Sequence, residues 1–400
     1  MQIMEFILKA IEYSLYGYFT MASLYILVFA LAGHFYKKQK DVTSKLKNKI
    51  AVLIPSYKED SVIVSVAQSA LEQNYQSNMF DVVVIADSLK PKTIAVLKKL
   101  PIILIEVSFE KSTKAKALNS AMAELKNDYD YAIVLDADNI MESDFLTKMN
   151  NAFLNGYQIV QGHRKAKNLN TSFAVLDAAS EEINNHIFRK GHKALGLSSG
   201  LIGSGMGFDF QLFKSMMQTV NAIGGFDKEL EFKFAEQGIA IEYLQDAIVL
   251  DEKIQKSSDF TNQRRRWLAT QFIYLKKYYK KGFQELIFKG NINFFDKIIQ
   301  MIIPPRILLL GFTSLSAFSY SLLYFNFNIQ LNTSVNLWII NLLMVIIAFV
   351  LALPKSFYNT TTLKAMLSLP VAFIRMALLL FKLKGANKQF IHTSHGVIEK

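Results

Sequence analysis

The chain has 400 residues, a formal net charge of +12 and no cysteine, which excludes disulfides, thiolate metal sites and cysteine nucleophiles. A hydrophobic content of 51% and a mean hydropathy of +0.20 are high for a soluble protein, so the composition favours a membrane-attached protein with one sizeable domain. The positive charge indicates an anionic partner, either membrane lipid or an anionic substrate, and nucleic acid is disfavoured because no nucleic-acid-binding motif is present.

The first predicted element is an apolar segment from Tyr13 to Phe35. It is long enough to cross a bilayer, which takes roughly 20 residues. Basic residues follow the segment at Lys37, Lys38 and Lys40 instead of preceding it, unlike a cleavable signal peptide. Lysines on that side make the following chain cytoplasmic. We therefore assign residues 1–36 to an N-terminal transmembrane helix.

Residues 37–284 alternate predicted strands with predicted helices. The strands are short apolar runs at 50–55, 80–86, 102–107 and 131–135, and the first helices are at 61–73 and 114–124. Short apolar runs that end at turns are typical of buried parallel strands. This alternation predicts an α/β domain with a mostly parallel sheet, whose ligand lies outside the carboxyl ends of the strands. Asp87 and Asp136 both follow strands and are expected there.

Asp136-Ala137-Asp138 directly follows the strand at 131–135. Two carboxylates one residue apart at such a turn suit a divalent cation that bridges a diphosphate. Considered alone, the motif favours a simple turn that caps a helix starting near Glu142. The metal site is favoured because Asp87 and Asp136 both end predicted strands, so one pocket is expected to receive both of these side chains.

Two further motifs lie downstream. Gly203-Ser204-Gly205-Met206 forms either a flexible turn or a backbone that a sugar can approach closely. Gln263-Arg264-Arg265-Arg266-Trp267 offers guanidinium forks for phosphate oxygens and an indole face for a sugar ring. The alternative for this arginine run is binding of lipid headgroups.

Residues 285–400 form the predicted C-terminal membrane region. Spans are expected at about 298–325 and 337–353, and the loop between them has no lysine or arginine, as expected for an outside loop. The apolar stretch 367–383 contains Arg375 and Lys382 and is predicted to lie in the inner interface instead of crossing the bilayer. His392 and His395 have no further ligand nearby, which argues against a metal site.

Six motifs follow one another along the chain: Ile54-Pro55-Ser56-Tyr57-Lys58-Glu59, Ala86-Asp87-Ser88, Lys114-Ala115-Lys116-Ala117-Leu118-Asn119, Asp136-Ala137-Asp138, Gly203-Ser204-Gly205-Met206 and Gln263-Arg264-Arg265-Arg266-Trp267. In this order they resemble the family 2 glycosyltransferases, and most closely their membrane-bound branch of cellulose, chitin and hyaluronan synthases. The resemblance covers about 50–267.

The resemblance implies a GT-A fold, a UDP-sugar donor, Mg²⁺ or Mn²⁺ and an inverting single displacement. It implies metal binding by Asp138. It implies donor contacts from Tyr57, Glu59, Asp87, Lys114, Asp136, Gln263 and Arg266, and acceptor contacts from Gly203, Ser204, Gly205, Met206 and Trp267.

The chain departs from the family pattern at the general base. Related synthases carry Thr-Glu-Asp, whereas this chain has Gly225-Phe226-Asp227. We expect Asp227 to deprotonate the acceptor hydroxyl, because one carboxylate suffices and a neighbouring apolar ring raises its pKa. The alternative is that Asp227 caps the helix predicted at 228–236.

We therefore predict an inner-membrane enzyme with a cytoplasmic catalytic domain. It transfers a hexosyl or N-acetylhexosaminyl group from a UDP-sugar to a glycan or lipid-linked acceptor in polysaccharide synthesis. Two alternatives stay open: a non-processive transferase that adds one sugar to a lipid carrier, and a catalytically silent membrane subunit that binds nucleotide or glycan. Assembly with a second copy or with an export partner is compatible with each.

Overall fold

The computed structural model describes residues 2–39, 46–253, 257–329 and 331–383. The strands are β1 (Ile50–Tyr57), β2 (Phe80–Asp87), β3 (Ile103–Val107), β4 (Tyr131–Val134), β5 (Ile140–Met141), β6 (Ile159–Ala166), β7 (Met206–Asp209) and β8 (Glu242–Asp251). The helices are α1 (Gln2–Ala32), α2 (Ile63–Leu71), α3 (Pro91–Leu97), α4 (Lys114–Glu124), α5 (Phe145–Leu154), α6 (Ser172–Asn185), α7 (His192–Ala194), α8 (Phe210–Met217), α9 (Phe226–Glu236), α10 (Ser257–Lys289), α11 (Ile292–Ile302), α12 (Arg306–Phe327), α13 (Val335–Ala352), α14 (Thr360–Met366) and α15 (Leu369–Leu379).

The eight strands form one sheet in the order β3-β2-β1-β4-β7-β6-β8-β5. The pairs β3-β2, β2-β1, β1-β4 and β6-β8 are parallel. Strand β7 is antiparallel to both of its neighbours, and β5 is antiparallel to β8. The predicted α/β domain with a mostly parallel sheet is confirmed, and all four strands expected before residue 136 are present.

Both faces of the sheet are covered by helices, which explains the unbroken apolar runs of the central strands. In β1, Ala51 and Leu53 pack into the core under α4, α8 and α9. Ile50, Val52 and Ile54 pack into the opposite core under α2 and α5. Successive side chains of a strand point to opposite faces, so a run that is apolar at every position is buried on both sides.

Helix α4 begins and ends where the sequence predicts, at Lys114 and Glu124. The Thr113 side chain accepts a hydrogen bond from the Lys116 backbone N–H and caps the first turn, as threonine commonly does. The cap fixes the position of Lys114 at the start of the helix, beside the carboxyl end of the sheet.

Among the described residues, three helices are long and apolar enough to cross a membrane: Ile3–Phe35, Arg306–Phe327 and Val335–Ala352. Helix α13 packs against both α1 and α12. The second candidate span begins at Arg306, whereas the sequence analysis expects a span from about 298. Pro304 and Pro305 interrupt the apolar stretch, since proline lacks the N–H that a helix interior needs, and the preceding residues form the separate helix α11, which packs on α10.

The stretch predicted at 367–383 lies in a bent pair of helices. The segments Thr360–Met366 and Leu369–Lys382 meet at 43°. Together they are long and apolar enough to be a fourth span, so an interfacial position remains a prediction. The histidines His392 and His395 lie outside the described residues.

Helix α1 is fixed directly to the domain that carries the sheet. It packs against a π-helical turn, His186–Gly191, that follows α6. A Cβ atom at Gly191 would lie 2.1 Å from the Phe29 carbonyl oxygen, so only glycine permits this approach. The His186 Nε2 atom lies 2.8 Å from the Ala30 carbonyl oxygen. The first apolar helix and the domain therefore form one packed unit.

Candidate active site

The carboxyl ends of β1 and β2 form one wall of a polar site. Tyr57 is paired with Asp87 in the parallel register. Asp87 is buried, and its Oδ1 accepts a hydrogen bond from Ser88 Oγ at 2.9 Å. The Lys58 backbone N–H donates to the Asp87 carbonyl oxygen at 3.1 Å, and Glu59 is buried beside it. Tyr57, Glu59 and Asp87, all predicted from the sequence, thus lie at the same edge of the sheet.

Three carboxylates converge next to this wall. Asp136, Asp138 and Asp251 each offer an oxygen within 4.8 Å of the others. Asn139 Nδ2 donates to Asp138 Oδ1 at 3.2 Å and to Asp251 Oδ1 at 3.1 Å. Asp138 Oδ2 accepts the Glu252 backbone N–H at 3.2 Å. Hard divalent cations such as Mg²⁺ prefer carboxylate oxygens, so this acidic group fits such an ion.

Asp251 is the member of the acidic group that the sequence analysis missed. It ends β8, directly after the apolar run at 247–250. A signal was present, because Asp87 and Asp136 also follow apolar strands. The alternative function of the Asp136 motif, capping the next helix, is wrong: the N-cap position of α5 is occupied by Asp144.

Lys114 joins the acidic group to the glycine-rich loop. Its Nζ donates to Asp136 Oδ1 at 2.5 Å and to the Gly203 carbonyl oxygen at 2.7 Å. Gly203 has a φ of +88°, a conformation that other residues rarely adopt. The structure therefore brings together the predicted residues Lys114, Asp136 and Gly203. Of the rest of the loop, Ser204 and Met206 are buried and Gly205 has a φ of +61°.

Two further cations, which the sequence analysis did not single out, lie behind the acidic group. Lys253 Nζ donates to Asp251 Oδ2 at 2.6 Å and also pairs with Glu181 of α6. Arg164 Nε donates to Glu181 Oε1 at 2.6 Å, and its Nη1 lies 3.8 Å from Asp136 Oδ2. Although burial opposes ionisation, Arg164 and Lys253 hold the pKa of the Asp251 carboxyl below its usual range. The Asp251 carboxylate is therefore kept ionised and held in place.

Asp227 lies in the first turn of α9, close to Lys114. The N-cap of α9 is Gly225, with a φ of +70°, so the capping alternative for Asp227 is wrong. The Phe226 ring is buried, with its centroid 5.4 Å from Lys114 Nζ. Burial raises the pKa of the Asp227 carboxyl, while the charges of Lys228 and Lys114 oppose the rise. A carboxylate with a raised pKa is better suited to accept a proton.

Glu229, the nearest competing carboxylate in sequence, has other partners. Its Oε1 accepts from Lys277 Nζ at 2.7 Å and its Oε2 accepts from Tyr274 OH at 3.4 Å. Both partners belong to α10. Glu229 therefore faces α10 and holds it against α9, whereas Asp227 lies beside Lys114.

The arginine run lies near the start of α10 and contacts the acidic group through α6. Arg264 is buried and pairs with Asp177 of α6, one turn before Glu181. The Arg264 guanidinium carbon lies 4.4 Å from the centroid of the Trp267 ring, and Trp267 is 45% exposed. Part of the indole is thus already stacked by a cation.

The neighbouring residues of the run have separate contacts. Arg265 Nε donates to the Lys382 carbonyl oxygen at 2.6 Å. Burial lowers the pKa of the Arg266 guanidinium, and the Gln263 Oε1 atom is buried. Binding of diphosphate by Gln263 and Arg266, and of acceptor by Trp267, remain predictions.

The chain was compared with known proteins. No curated protein matches the chain. Among solved structures, the mannosyltransferase PcManGT from Pyrobaculum calidifontis, in complex with GDP-Man and Mn²⁺, is 15% identical, with a TM-score of 0.55 over 88% of this chain and 99% of that chain. Glucosyl-3-phosphoglycerate synthase from Mycobacterium tuberculosis, with Mn²⁺ and UDP, is 16% identical, with a TM-score of 0.39 over 56% of this chain and 78% of that chain.

The predicted GT-A fold is confirmed by the first of these likenesses together with the sheet order. A family model described as glycosyltransferase like family 2 matches residues 48–270. The match begins just before β1 and ends just after the arginine run, so it includes every motif of the candidate site. Because it spans more than half of the chain, the chain belongs to the family 2 glycosyltransferases.

Proposed function

We propose that the chain is an inverting membrane glycosyltransferase that moves a sugar from a UDP-sugar to a glycan or lipid-linked acceptor in polysaccharide synthesis. The observation that carries the proposal is the convergence of Asp136, Asp138 and Asp251 within 4.8 Å, with Lys114 bonded to Asp136 and its charge acting on Asp227. A nucleotide sugar needs charge neutralisation at its diphosphate and a base at the acceptor, and this site offers both.

The donor would lie along the carboxyl ends of β1 and β2. Tyr57, Glu59 and Asp87 would contact the nucleoside, and Lys114 would contact the diphosphate. Asp138, with Asp136 and Asp251, would hold Mg²⁺ or Mn²⁺, as the presence of Mn²⁺ with GDP-Man in the mannosyltransferase structure suggests. Such an ion neutralises charge on the departing nucleoside diphosphate.

The acceptor would lie on the side of the site formed by the glycine-rich loop and the start of α9. Asp227 would take the proton from the acceptor hydroxyl as its oxygen attacks the sugar carbon opposite the leaving diphosphate. A single displacement of this kind inverts the configuration at that carbon. The raised pKa of Asp227 brings the carboxylate closer to the basicity that proton transfer requires.

The second candidate function is transfer of one sugar to a lipid carrier. The observation that favours it is the small number of apolar helices, three or at most four among the described residues, which is few to enclose a channel for a growing polymer. The chemistry at the site is the same in both cases. The two functions differ only in the acceptor and in the number of transfers.

The test is turnover by the full chain, extracted from membranes, with a panel of UDP- and GDP-sugars and either Mg²⁺ or Mn²⁺. We expect release of UDP from one UDP-sugar and a product whose mass increases by whole sugar units. One added unit on a lipid would select the second candidate. If the chain bound UDP tightly but released no UDP from any UDP-sugar, both candidates would be contradicted and a catalytically silent subunit would be favoured.

A further inference from the structure

Arg306 has an unusual setting at the point where α12 begins. It is the first residue of α12 and follows Pro304 and Pro305. Its Nη2 donates to Ser180 Oγ of α6 at 2.7 Å. Its Nε is buried and has no hydrogen-bond partner among the described residues. A buried donor without an acceptor is costly, so Arg306 keeps one cationic donor for which the described part of the chain supplies no acceptor.

The carboxylates near Arg306 are already bound to other cations. The charges that act most strongly on it are those of Arg264 and Arg189, followed by Asp177 and Glu181. Asp177 is paired with Arg264. Glu181 is paired with two cations of its own, Arg164 and Lys253. Within the described ranges, no carboxylate lies within 4.0 Å of Arg306.

Arg189 increases the positive charge of this region. Its Nε donates to the Gly200 carbonyl oxygen at 3.0 Å and its Nη1 donates to Asn185 Oδ1 at 2.8 Å. Both acceptors are neutral. Arg189 and Arg306 therefore both lack a carboxylate in the described part of the chain, and the region between α6 and α12 has an excess of positive charge.

The backbone adds to this preference for an anion. The first N–H groups of a helix have no partner within the helix, and its N-terminus has a partial positive charge. In α12 the first turn is closed by the bond from the Leu309 N–H to the Pro305 carbonyl oxygen. The N–H groups of Arg306, Ile307 and Leu308 precede this bond, in the turn that Arg306 begins. A guanidinium beside a helix N-terminus is well suited to a phosphate group.

The position of Arg306 indicates which kind of molecule carries the phosphate. Arg306 is the first residue of a candidate membrane span, and the ends of a span lie at the level of the lipid headgroups. Helix α14 packs on α6 and α15 packs on α12, so apolar helices flank the site. Leu363 of α14 and Leu367, which directly follows α14, are exposed, and an acyl or isoprenoid chain can lie against them.

We infer that Arg306, with Ser180 and the first turn of α12, binds the phosphate of a membrane lipid. The inference rests on the membrane attachment in the proposed function but not on sugar transfer. A chain that transfers no sugar can still bind the lipid, and a transferase can lack this site, so the two proposals fail separately.

The test measures binding to the full chain in lipid-free detergent by native mass spectrometry. The probes are phosphatidic acid, diacylglycerol with the same acyl chains, and inorganic phosphate. We expect phosphatidic acid to bind, and diacylglycerol and inorganic phosphate to bind much more weakly. Arg306→Gln should weaken binding of phosphatidic acid by about tenfold or more, as loss of a charge-assisted hydrogen bond does. Arg375→Gln, which removes an arginine from α15, should leave it unchanged.

Three results would overturn the inference. Equal binding of phosphatidic acid by Arg306→Gln and the wild type would exclude Arg306 from the site. Inorganic phosphate that binds as tightly as phosphatidic acid would assign the site to a soluble anion. Displacement of phosphatidic acid by UDP with Mn²⁺ would make Arg306 part of the donor pocket.

A second variant guards against misfolding. Arg306→Met removes a buried, incompletely bonded charge, and such replacements are often neutral or stabilising. Its thermal midpoint in lipid-free detergent should equal or exceed that of the wild type. Added phosphatidic acid should then raise the midpoint of the wild type only. A lower midpoint for Arg306→Met without lipid, or an equal rise with lipid, would contradict the inference.

Discussion

The ammonium of Lys114 donates to the Asp136 carboxylate at 2.5 Å, and this pair joins two halves of the site. Lys114 also lies over the Phe226 ring at 5.4 Å, at the start of the helix that carries Asp227. One cation therefore contacts the acidic group and lies beside the candidate base. Lys114 neutralises part of the negative charge that would otherwise attract a metal ion in the absence of a nucleotide.

Replacing Lys114 with methionine should change binding of metal and nucleotide in opposite directions. The variant should bind Mn²⁺ alone more tightly, by up to about tenfold, because one partly screened positive charge is removed from beside Asp136. It should bind UDP more weakly, because the diphosphate loses a cation. Calorimetric titration with Mn²⁺, and then with UDP, measures both effects. Lys116→Met, on the same helix, is the control, and weaker Mn²⁺ binding by Lys114→Met would be contrary to this prediction.

Asp138→Ala should abolish metal-dependent nucleotide binding and leave the protein folded. Asp138 is buried within the acidic group, and a lost carboxylate ligand leaves the ion with too few oxygens. UDP titrations with and without Mn²⁺ test this, and thermal unfolding checks the fold. Asp128→Ala, which removes an exposed carboxylate paired with Lys49, is the matched control. Normal turnover by Asp138→Ala would remove the acidic group from the mechanism.

Trp267→Ala should separate acceptor binding from donor binding. If sugar rings stack on the exposed part of the indole, the change removes about 1 kcal/mol or more of interaction beyond simple burial. Transfer should fail while UDP affinity is kept, because Arg264 keeps its pairing with Asp177. Trp267→Phe, which keeps a ring, should restore part of the activity. Loss of UDP affinity in Trp267→Ala would place Trp267 in the donor pocket or in the supporting fold.

The orientation in the membrane can be measured with reporter fusions. Glu12 of α1 accepts hydrogen bonds from Asn332 Nδ2 and from the Thr333 backbone N–H, both at 2.6 Å, so the N-terminal end of α1 and the loop before α13 lie at the same end of the helix group. Reporters near the N-terminus and near Asn332 should both read external, and reporters after Lys40 or Lys355 should read cytoplasmic. A cytoplasmic signal at Asn332 would invert the proposed position of the site.

Local pattern was sufficient to predict the first half of the domain from the sequence. Apolar runs predicted β1 to β4, and the helix predicted at 114–124 matches α4 at both ends. Asp87 and Asp136 were expected together because the carboxyl ends of parallel strands share one edge.

The remaining parts of the site depend on pairings between distant segments. Asp251 joins the acidic group only because β8 pairs with β6, and no local pattern specifies that pairing. Glu181 of α6 lies in a helix without any motif, yet it holds Arg164 and Lys253. The sequence analysis joins α11 and α12 into one span because the apolar composition continues through Pro304 and Pro305, whereas the helix is interrupted there.

The raised pKa of Asp227 predicts that this carboxylate destabilises the folded protein when it is ionised, whereas an ordinary paired carboxylate stabilises it. Burial raises its pKa in the folded state, so folding disfavours the ionised form. The resulting destabilisation is absent at pH values below the pKa that Asp227 has in the unfolded chain. It is fully present at pH values above the pKa that Asp227 has in the folded protein. Asp227→Asn should therefore equal or exceed the wild type in stability at pH 7, with the difference vanishing at acidic pH. Thermal unfolding against pH measures this, and a clear loss of stability at pH 7 would indicate a structural role.

The most direct measurement is the rate of sugar transfer by Asp227→Asn and Glu229→Gln under identical conditions. Asparagine keeps the size of aspartate but cannot accept a proton, so Asp227→Asn should lower the rate by roughly a hundredfold to ten-thousandfold, the usual contribution of a general base. Glu229→Gln, which weakens only the contacts with Lys277 and Tyr274, should stay close to the wild type. The opposite result, loss of transfer in Glu229→Gln and normal transfer in Asp227→Asn, would assign the general base to Glu229 and contradict its assignment to Asp227.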